Sequence, residues 1–341
     1  MKRMRIGTTL SNYIIENQRH IPGATGEFTG LLNDISVACK KIADLVNQGD
    51  LVNVLGSVDS ENCQGETQKK LDVISNDLMI NALQFNGHMA ALASEEMEHI
   101  FTLPPGRPRG KYLVLTDPLD GSSNTDVNVS IGTIFSILRA PAGSDEVNPE
   151  DFLKPGAQQL AAGYCLYGPS TLMVLTTGQG VRMFTLDRAI GEFLLTRRDV
   201  MIPVECAEYA INASNRRFWK APVRRYVEEC EQGADGPRGK DFNMRWVASM
   251  VAEVHRILTR GGVFLYPGDE RLEAAGKAGK LRLMYEANPM AMLVEQAGGA
   301  ASTGFERILD VQPEELHQRV PVILGSRAEV ERLVAFHADS R

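Results

Sequence analysis

In Asp117-Pro118-Leu119-Asp120-Gly121-Ser122-Ser123-Asn124 two carboxylates stand three residues apart at the end of an apolar run, Tyr112 to Thr116. The run predicts a buried strand that ends abruptly at Asp117, with Pro118 forcing the chain to turn between the two acids. Gly121 lets the backbone approach a ligand closely. Ser122, Ser123 and Asn124 add hydroxyls and an amide. Mg²⁺ takes oxygen ligands and is commonly held by one or two carboxylates together with substrate phosphate oxygens. The N–H groups of a Gly-Ser turn are suited to cradle that phosphate. A solvated Asx turn uses the same residue types, so the stretch by itself leaves both readings open.

Further acids lie upstream. Ser94-Glu95-Glu96 follows the apolar run Met89 to Ala93, which reads as the end of a buried strand or helix. In a strand the two glutamates point to opposite sides, so that one binds metal while the other polarises a water. Lys69-Lys70-Leu71-Asp72, inside a helical pattern, supplies a third carboxylate, with Glu66 just before it. The plain alternative is surface charge on an amphipathic helix.

Around these acids the periodicity predicts a helix from Glu27 to Val46, stopped at Gly49, and another through Leu71, Ile74, Leu78 and Ala82. Ile131 to Leu138 reads as a strand. Three short runs between Ala161 and Asp187, broken at Gly168-Pro169-Ser170 and Gly178-Gln179-Gly180, read as an antiparallel meander. After about residue 200 the pattern restarts. A helical stripe of Val247, Met250, Val251, Val254 and Leu258 closes at Gly261-Gly262, and strands follow at Val263 to Tyr266 and Leu281 to Tyr285. Asn288-Pro289 reads as an N-cap with proline at the first helical position, and Gly298-Gly299 as the stop. Ala140 to Gly156 and Gln232 to Lys240 are candidate linkers, and the lobe boundary is expected near Asp199.

Composition narrows the class. A chain of 341 residues with 43% hydrophobic and 23% charged residues predicts a folded protein of two lobes. Its net charge of -7 argues against a nucleic-acid partner, and an acidic chain that handles phosphates needs bound cations. Cys39, Cys63, Cys165, Cys206 and Cys230 are scattered without CxxC spacing, which fits reduced thiols. The opening Met1 to Leu10 has no apolar core of a signal peptide, and no run is long enough to span a membrane. The expected location is cytoplasmic.

Taken in order, Gly65-Glu66 through Asp72, Ser94-Glu95-Glu96 and Asp117 to Asn124 resemble the class I fructose-1,6-bisphosphatases. These belong to a wider superfamily of magnesium-dependent, lithium-sensitive sugar phosphatases. The resemblance runs from about Thr25 to Arg327. Gly279-Lys280-Leu281-Arg282-Leu283-Met284-Tyr285-Glu286-Ala287-Asn288-Pro289-Met290 matches the family pattern of a basic phosphate binder leading to another metal carboxylate. Asn212, Arg245, Met250, His255-Arg256 and Tyr266-Pro267 fall where the family places its sugar-phosphate pocket. Asn215 and Trp246 stand where the family often has tyrosines, with Arg216 or Arg217 as compensating cations.

The resemblance implies an α/β (α+β) architecture, the layered α-β-α-β-α sugar phosphatase fold with two mixed-sheet lobes. Residues 1–199 carry the metal site and an AMP-regulatory segment, and residues 200–341 bind the sugar bisphosphate. The implied reaction is hydrolysis of the 1-phosphate of D-fructose 1,6-bisphosphate, giving fructose 6-phosphate and phosphate, in gluconeogenesis or the Calvin cycle. Two or three Mg²⁺ per subunit, or Mn²⁺ in their place, are held by Glu95, Asp117, the Leu119 carbonyl, Asp120 and Glu286. Glu66, where the family often has Asp, serves a weaker third metal. Glu96 with Asp72 orients and deprotonates the attacking water. Asp120, Gly121, Ser122, Ser123, Asn212, Arg245, Tyr266 and Lys280 contact substrate.

For AMP the resemblance points to Thr25, Gly26, Glu27, Thr29, Lys111, Tyr112 and Arg139, although the first of these also read as an ordinary helix cap. It further implies a homotetramer in which Arg245 reaches a neighbour's 6-phosphate. Thioredoxin control is not expected, since Ala140 to Leu160 contains no cysteine. The competing readings are a sedoheptulose-1,7-bisphosphatase or dual-specificity enzyme, a catalytically inactive metabolite sensor, and, last, an inositol monophosphatase.

Overall fold

The computed structural model describes residues 5–18, 26–61, 67–142 and 146–340; Thr25, Cys63 and Glu66 lie outside them. Helices α1 (Leu10–Gln18) and α2 (Glu27–Gln48) come first, then the antiparallel pair β1 (Ser57–Glu61) and β2 (Thr67–Lys69), then α3 (Lys70–Leu83). An eight-stranded sheet follows from β3 (Met89–Ser94), β4 (Phe101–Thr102), β5 (Tyr112–Asp120), β6 (Ile131–Arg139), β7 (Ala161–Tyr167), β8 (Thr171–Thr176), β9 (Val181–Asp187) and β10 (Glu192–Val200). Its order is β10-β9-β8-β7-β6-β5-β3-β4, and only β3 and β5 pair in parallel. The meander from Ala161 to Asp187 is present. Its continuation into β10 escapes the periodicity because Arg197-Arg198-Asp199 break the apolar pattern, as suits a charged edge strand.

The second half opens with β11 (Glu208–Ile211), α4 (Ala221–Glu231), β12 (Asn243–Met244), α5 (Met250–Arg260), β13 (Val263–Tyr266) and α6 (Glu270–Ala274). Next come β14 (Leu281–Arg282), α7 (Asn288–Gln296), β15 (Ala300–Ser302), β16 (Arg319–Val320), β17 (Val322–Gly325) and α8 (Arg327–Asp339). A five-stranded sheet has the order β12-β11-β13-β17-β15, and β14 pairs separately with β16.

Side-chain alternation stacks these parts into layers. Phe135, Ile137, Cys165 and Phe184 face α1, α2 and α3, burying Leu31, Leu32, Ile35 and Ile42. Their neighbours Ile134, Tyr164, Leu166 and Val174 face α5 and α7, which are sandwiched against Ala210, Phe264 and Leu324 of the smaller sheet. The other face of that sheet, with Ile211, Val263, Leu265 and Ile323, packs on α4 and α8. Helix, sheet, helix, sheet, helix is the resulting order, as the resemblance implies. Each fully buried Leu or Ile contributes roughly 1.5–3 kcal/mol by leaving water.

Four local expectations are corrected. Pro118 does not turn the chain. β5 continues through it to Asp120, with Asp117 opposite Ile134 and Asp120 opposite Gly132, so Pro118 and Leu119 share one partner, Thr133. This is a bulge, which absorbs a residue that has no N–H to give the ladder. The strand expected at Leu281 to Tyr285 stops at Arg282 and becomes a π-helical turn, Leu283–Ala287. That turn runs straight into α7, so Asn288, at φ -62° and ψ -52°, is helical and not a cap. Finally, Glu95 and Glu96 follow β3 in a turn instead of alternating across it.

Candidate active site

The C-terminal ends of β3 and β5 meet the N-terminus of α5 in a cleft of about 330 Å³. Glu95 and Glu96 enter it from the turn after β3, and Asp117, Leu119 and Asp120 from the bulged end of β5. Gly121, Ser122 and Ser123 form one wall and Asp72, in the first turn of α3, another. From the second half of the chain come Asn212, Tyr266, Lys280 and Glu286. Residues separated by more than two hundred positions thus share one space.

Each carboxylate is held by the fold. Asp120 accepts the Ser249 hydroxyl at 2.7 Å and the backbone N–H groups of Val251 at 2.9 Å and Met250 at 3.2 Å, so it sits on the N-terminus of α5. The close approach requires Gly121, since a Cβ there would meet the Ser249 Cβ at 2.7 Å, and its φ of +77° is left-handed. Asp117 accepts the Leu119 N–H at 3.0 Å. Glu286 accepts the Arg282 N–H at 2.6 Å across the π-helical turn, a feature frequent at functional sites. Asp72 accepts the Lys69 N–H at 2.8 Å, and Gln68 donates to Glu96 at 2.6 Å.

Crowding these acids away from water raises their proton affinity. Burial, reinforced by Asp72, lifts Glu96 to about 7. Burial with the charge of Glu95 lifts Asp72 to about 6 against the Lys69 hydrogen bond. Asp120 rises to about 6 and Glu286 to about 8, burial being the largest cause in both. Asp117 rises well above the usual range through burial and its neighbours Glu95, Asp120 and Glu286. Six carboxylates face the cleft against two cations, Lys280 and Arg282.

That imbalance is what divalent cations relieve. Oxygens of Asp117, Asp120 and Glu286 lie within 4.8 Å of one another, all three residues buried. Asp72 Oδ1 is buried without a hydrogen-bond partner among the described residues. An all-oxygen donor set suits hard ions such as Mg²⁺ or Mn²⁺ rather than thiolate-bound metals. The residues present therefore fit a divalent-cation site.

Not every expected contact lines the cleft. Arg245 follows β12, five residues before α5, and lies half exposed with Nε 3.7 Å from Glu208 Oε1. Arg256 pairs with Glu208 at 2.8 Å and Glu253 at 3.0 Å, and His255 with the Tyr164 hydroxyl at 2.9 Å. Arg216 is tied to Glu231 at 2.7 Å and Arg217 lies over the Phe218 ring. Trp246 does line the cleft, stacked on Phe264 at 6.0 Å. Of the AMP set, Glu27 meets Lys111 at 2.7 Å and Arg139 lies 5.1 Å over the Tyr112 ring; Thr29 is buried, and Gly26, just before α2, is left-handed.

Sequence reading missed Gln68, Ser249 and the role of Arg282, whose Nη1 is 2.9 Å from Glu95 Oε1. Ser249 carried a signal, a serine directly before an apolar helical stripe, but one that announces a helix start and not a partner for Asp120.

Comparison with known proteins identifies the family. The family model for the fructose-1-6-bisphosphatase N-terminal domain matches residues 8–198, and that for the C-terminal domain residues 202–338. A class 1 fructose-1,6-bisphosphatase of Halorhodospira halophila is 67% identical over 337 residues, covering 98% of this chain and all of that protein. The holo form of Leishmania major fructose-1,6-bisphosphatase superposes with a TM-score of 0.90 at 39% identity, over 98% of this chain and 100% of that one. The T-state of the same Leishmania enzyme gives 0.86 at 38% identity, over 99% of this chain and 100% of that one. With two domain models spanning nearly its whole length and a relative at two-thirds identity, the chain belongs to the class 1 fructose-1,6-bisphosphatase family.

Proposed function

We propose that the protein hydrolyses the 1-phosphate of D-fructose 1,6-bisphosphate to fructose 6-phosphate and phosphate, using Mg²⁺ held by Glu95, Asp117, the Leu119 carbonyl, Asp120 and Glu286. The observation that carries this reading is the buried cluster of Asp117, Asp120 and Glu286 in the same cleft as Lys280, Tyr266 and Asn212. Acids that crowd a metal site thus share a space with groups suited to a phosphorylated sugar.

When bound, the cations neutralise phosphate charge and make a coordinated water more acidic. The chain's own residues do the rest. Glu96, raised to about 7, has the proton affinity of a base at neutral pH, and Gln68 at 2.6 Å fixes its orientation. Asp72 across the cleft raises that affinity further. The Gly121-Ser122-Ser123 turn offers N–H and hydroxyl donors to the transferred phosphate. Lys280, Tyr266 and Asn212 anchor the distal phosphate and the sugar, so that remote binding energy places the reacting group.

Several finer features belong to the same reading: a site divided between residues 1–199 and 200–341, a homotetramer with Arg245 serving a neighbouring subunit, AMP inhibition through Thr25, Gly26, Glu27, Thr29, Lys111, Tyr112 and Arg139, and a cytoplasmic setting. Among the described residues no helix is long and apolar enough to cross a membrane. The deciding experiment is phosphate release from fructose 1,6-bisphosphate and from sedoheptulose 1,7-bisphosphate, with and without Mg²⁺. Turnover of neither, with Mg²⁺ present, overturns the reading. A preference for the second reassigns the substrate.

A further inference from the structure

Between Asp117 and Asp120 the ladder to β6 is broken, and Pro118 and Leu119 face the single residue Thr133. Within this bulge the ladder register is interrupted, so ordinary strand pairing does not fix the Pro118–Leu119 peptide. Thr133, fully buried, supplies the missing bond from its side chain: its hydroxyl donates to the Pro118 carbonyl at 2.8 Å. That spends its one proton. The Tyr167 hydroxyl, 2.7 Å away, is therefore the donor to Thr133 Oγ1. Tyr167 is itself buried beside the thiols of Cys39 on α2 and Cys165 on β7.

The other polar atom of the same peptide is also committed, since the Leu119 N–H donates to Asp117 Oδ1 at 3.0 Å. The peptide is planar. Its carbonyl and N–H turn together, so holding the carbonyl fixes where the N–H points and which Asp117 oxygen it occupies. We propose that Thr133, backed by Tyr167, is a positioning residue that sets the Asp117 carboxylate for metal through the Pro118–Leu119 peptide. A hydroxyl outside the cleft thus decides the aim of a carboxylate inside it. The inference rests on the reading of Asp117 as a metal ligand.

A purely structural role predicts something different: a threonine hydroxyl that merely satisfies a buried carbonyl, whose loss costs stability and nothing else. Two substitutions separate the roles. Thr133→Val keeps shape and removes the donor; Thr133→Ser keeps the donor and removes a packed methyl. Mn²⁺ is titrated calorimetrically with inorganic phosphate present, alongside melting temperature, kcat and KM. Thr133→Val is expected to weaken Mn²⁺ binding at least tenfold and to lower kcat, with KM within about twofold. Thr133→Ser is expected to melt lower than wild type yet bind Mn²⁺ within threefold of it.

Wild-type Mn²⁺ affinity in Thr133→Val, or equal losses in both variants, overturns the assignment. If Thr133→Val does not fold, Thr133→Cys carries the comparison. Its weaker S–H donor must bind Mn²⁺ less tightly than Thr133→Ser, and equal affinities reject the idea. Absence of Mn²⁺ binding by the wild type overturns the metal-site reading together with the inference, whereas intact wild-type binding with an unaffected Thr133→Val removes the inference alone.

Discussion

Arg282 Nη1 lies 2.9 Å from Glu95 Oε1 and 3.9 Å from Glu286 Oε2, so a buried guanidinium stands between two candidate metal ligands. Removing one member of a buried charged group costs about 3–5 kcal/mol. In Arg282→Met the loss is expected in full when metal is chelated. It should shrink at saturating Mg²⁺, because divalent ions restore positive charge beside Glu95. Equal drops in melting temperature under both conditions count against this placement of charge.

Glu96→Gln tests the base. The Gln68 contact at 2.6 Å tolerates an amide, and the variant relieves the repulsion from Asp72. Expected are a fall in kcat of about 10²–10⁴-fold, KM within a few-fold, and a melting temperature at or above wild type. Retention of normal kcat removes Glu96 from proton transfer.

The metal-free protein should lose stability as pH rises. Glu286 titrates near 4.5 when unfolded and is lifted to about 8 in the fold, so the native state binds more protons across that window. Stability from this group is full below pH 4.5 and lost as pH climbs through about 8. In EDTA the melting temperature is expected to fall between pH 6 and pH 8, with Mg²⁺ giving its larger rescue at pH 8. A rescue independent of pH contradicts the assignment of Glu286 as a ligand.

Gly121→Ala should fail on two counts, a left-handed φ and a Cβ 2.7 Å from Ser249. Strain of this kind costs about 1–3 kcal/mol. Because Ser249 must move, its 2.7 Å bond to Asp120 lengthens and kcat falls with stability. An alanine variant with wild-type melting and turnover disproves the close approach.

Arg245 is half exposed and does not line the cleft of its own chain, and the proposed homotetramer gives it a role in a neighbour's site. Mixing Arg245→Ala with Glu95→Gln subunits, each poorly active alone, should restore partial phosphate release by pairing a sound metal site with an intact arginine. Mixed oligomers without recovered activity reject shared sites.

What sequence made legible follows a physical line. Helix α2 and the meander were readable because Leu31, Ile35 and Ile42, or Tyr164 and Leu166, repeat with the period of one element. Asp117 and Asp120 stood out because proline and glycine flank them. Pro118 looks like a turn from its neighbours alone, because the bulge that absorbs it depends on Thr133 on the next strand. The π-helical turn after Arg282 is hidden because the largely apolar run Leu281 to Tyr285 suits a strand equally well. Gln68, Arg282 and Ser249 were not readable as site members, since their partners lie 28, 187 and 129 positions away.

The seating of Asp120 on the first turn of α5, with Glu286 delivered still later, bears on when the protein becomes an enzyme. A nascent chain that has released only its first two hundred residues already owns Asp72, Glu95, Asp117 and Asp120, yet lacks the α5 N-terminus that seats Asp120 and the Glu286 that completes the set. Synthesis must run past Glu286 before these acids face a finished cleft. On the proposed reading, a chain truncated before Glu286 lacks part of the cleft lining and is expected to release no phosphate.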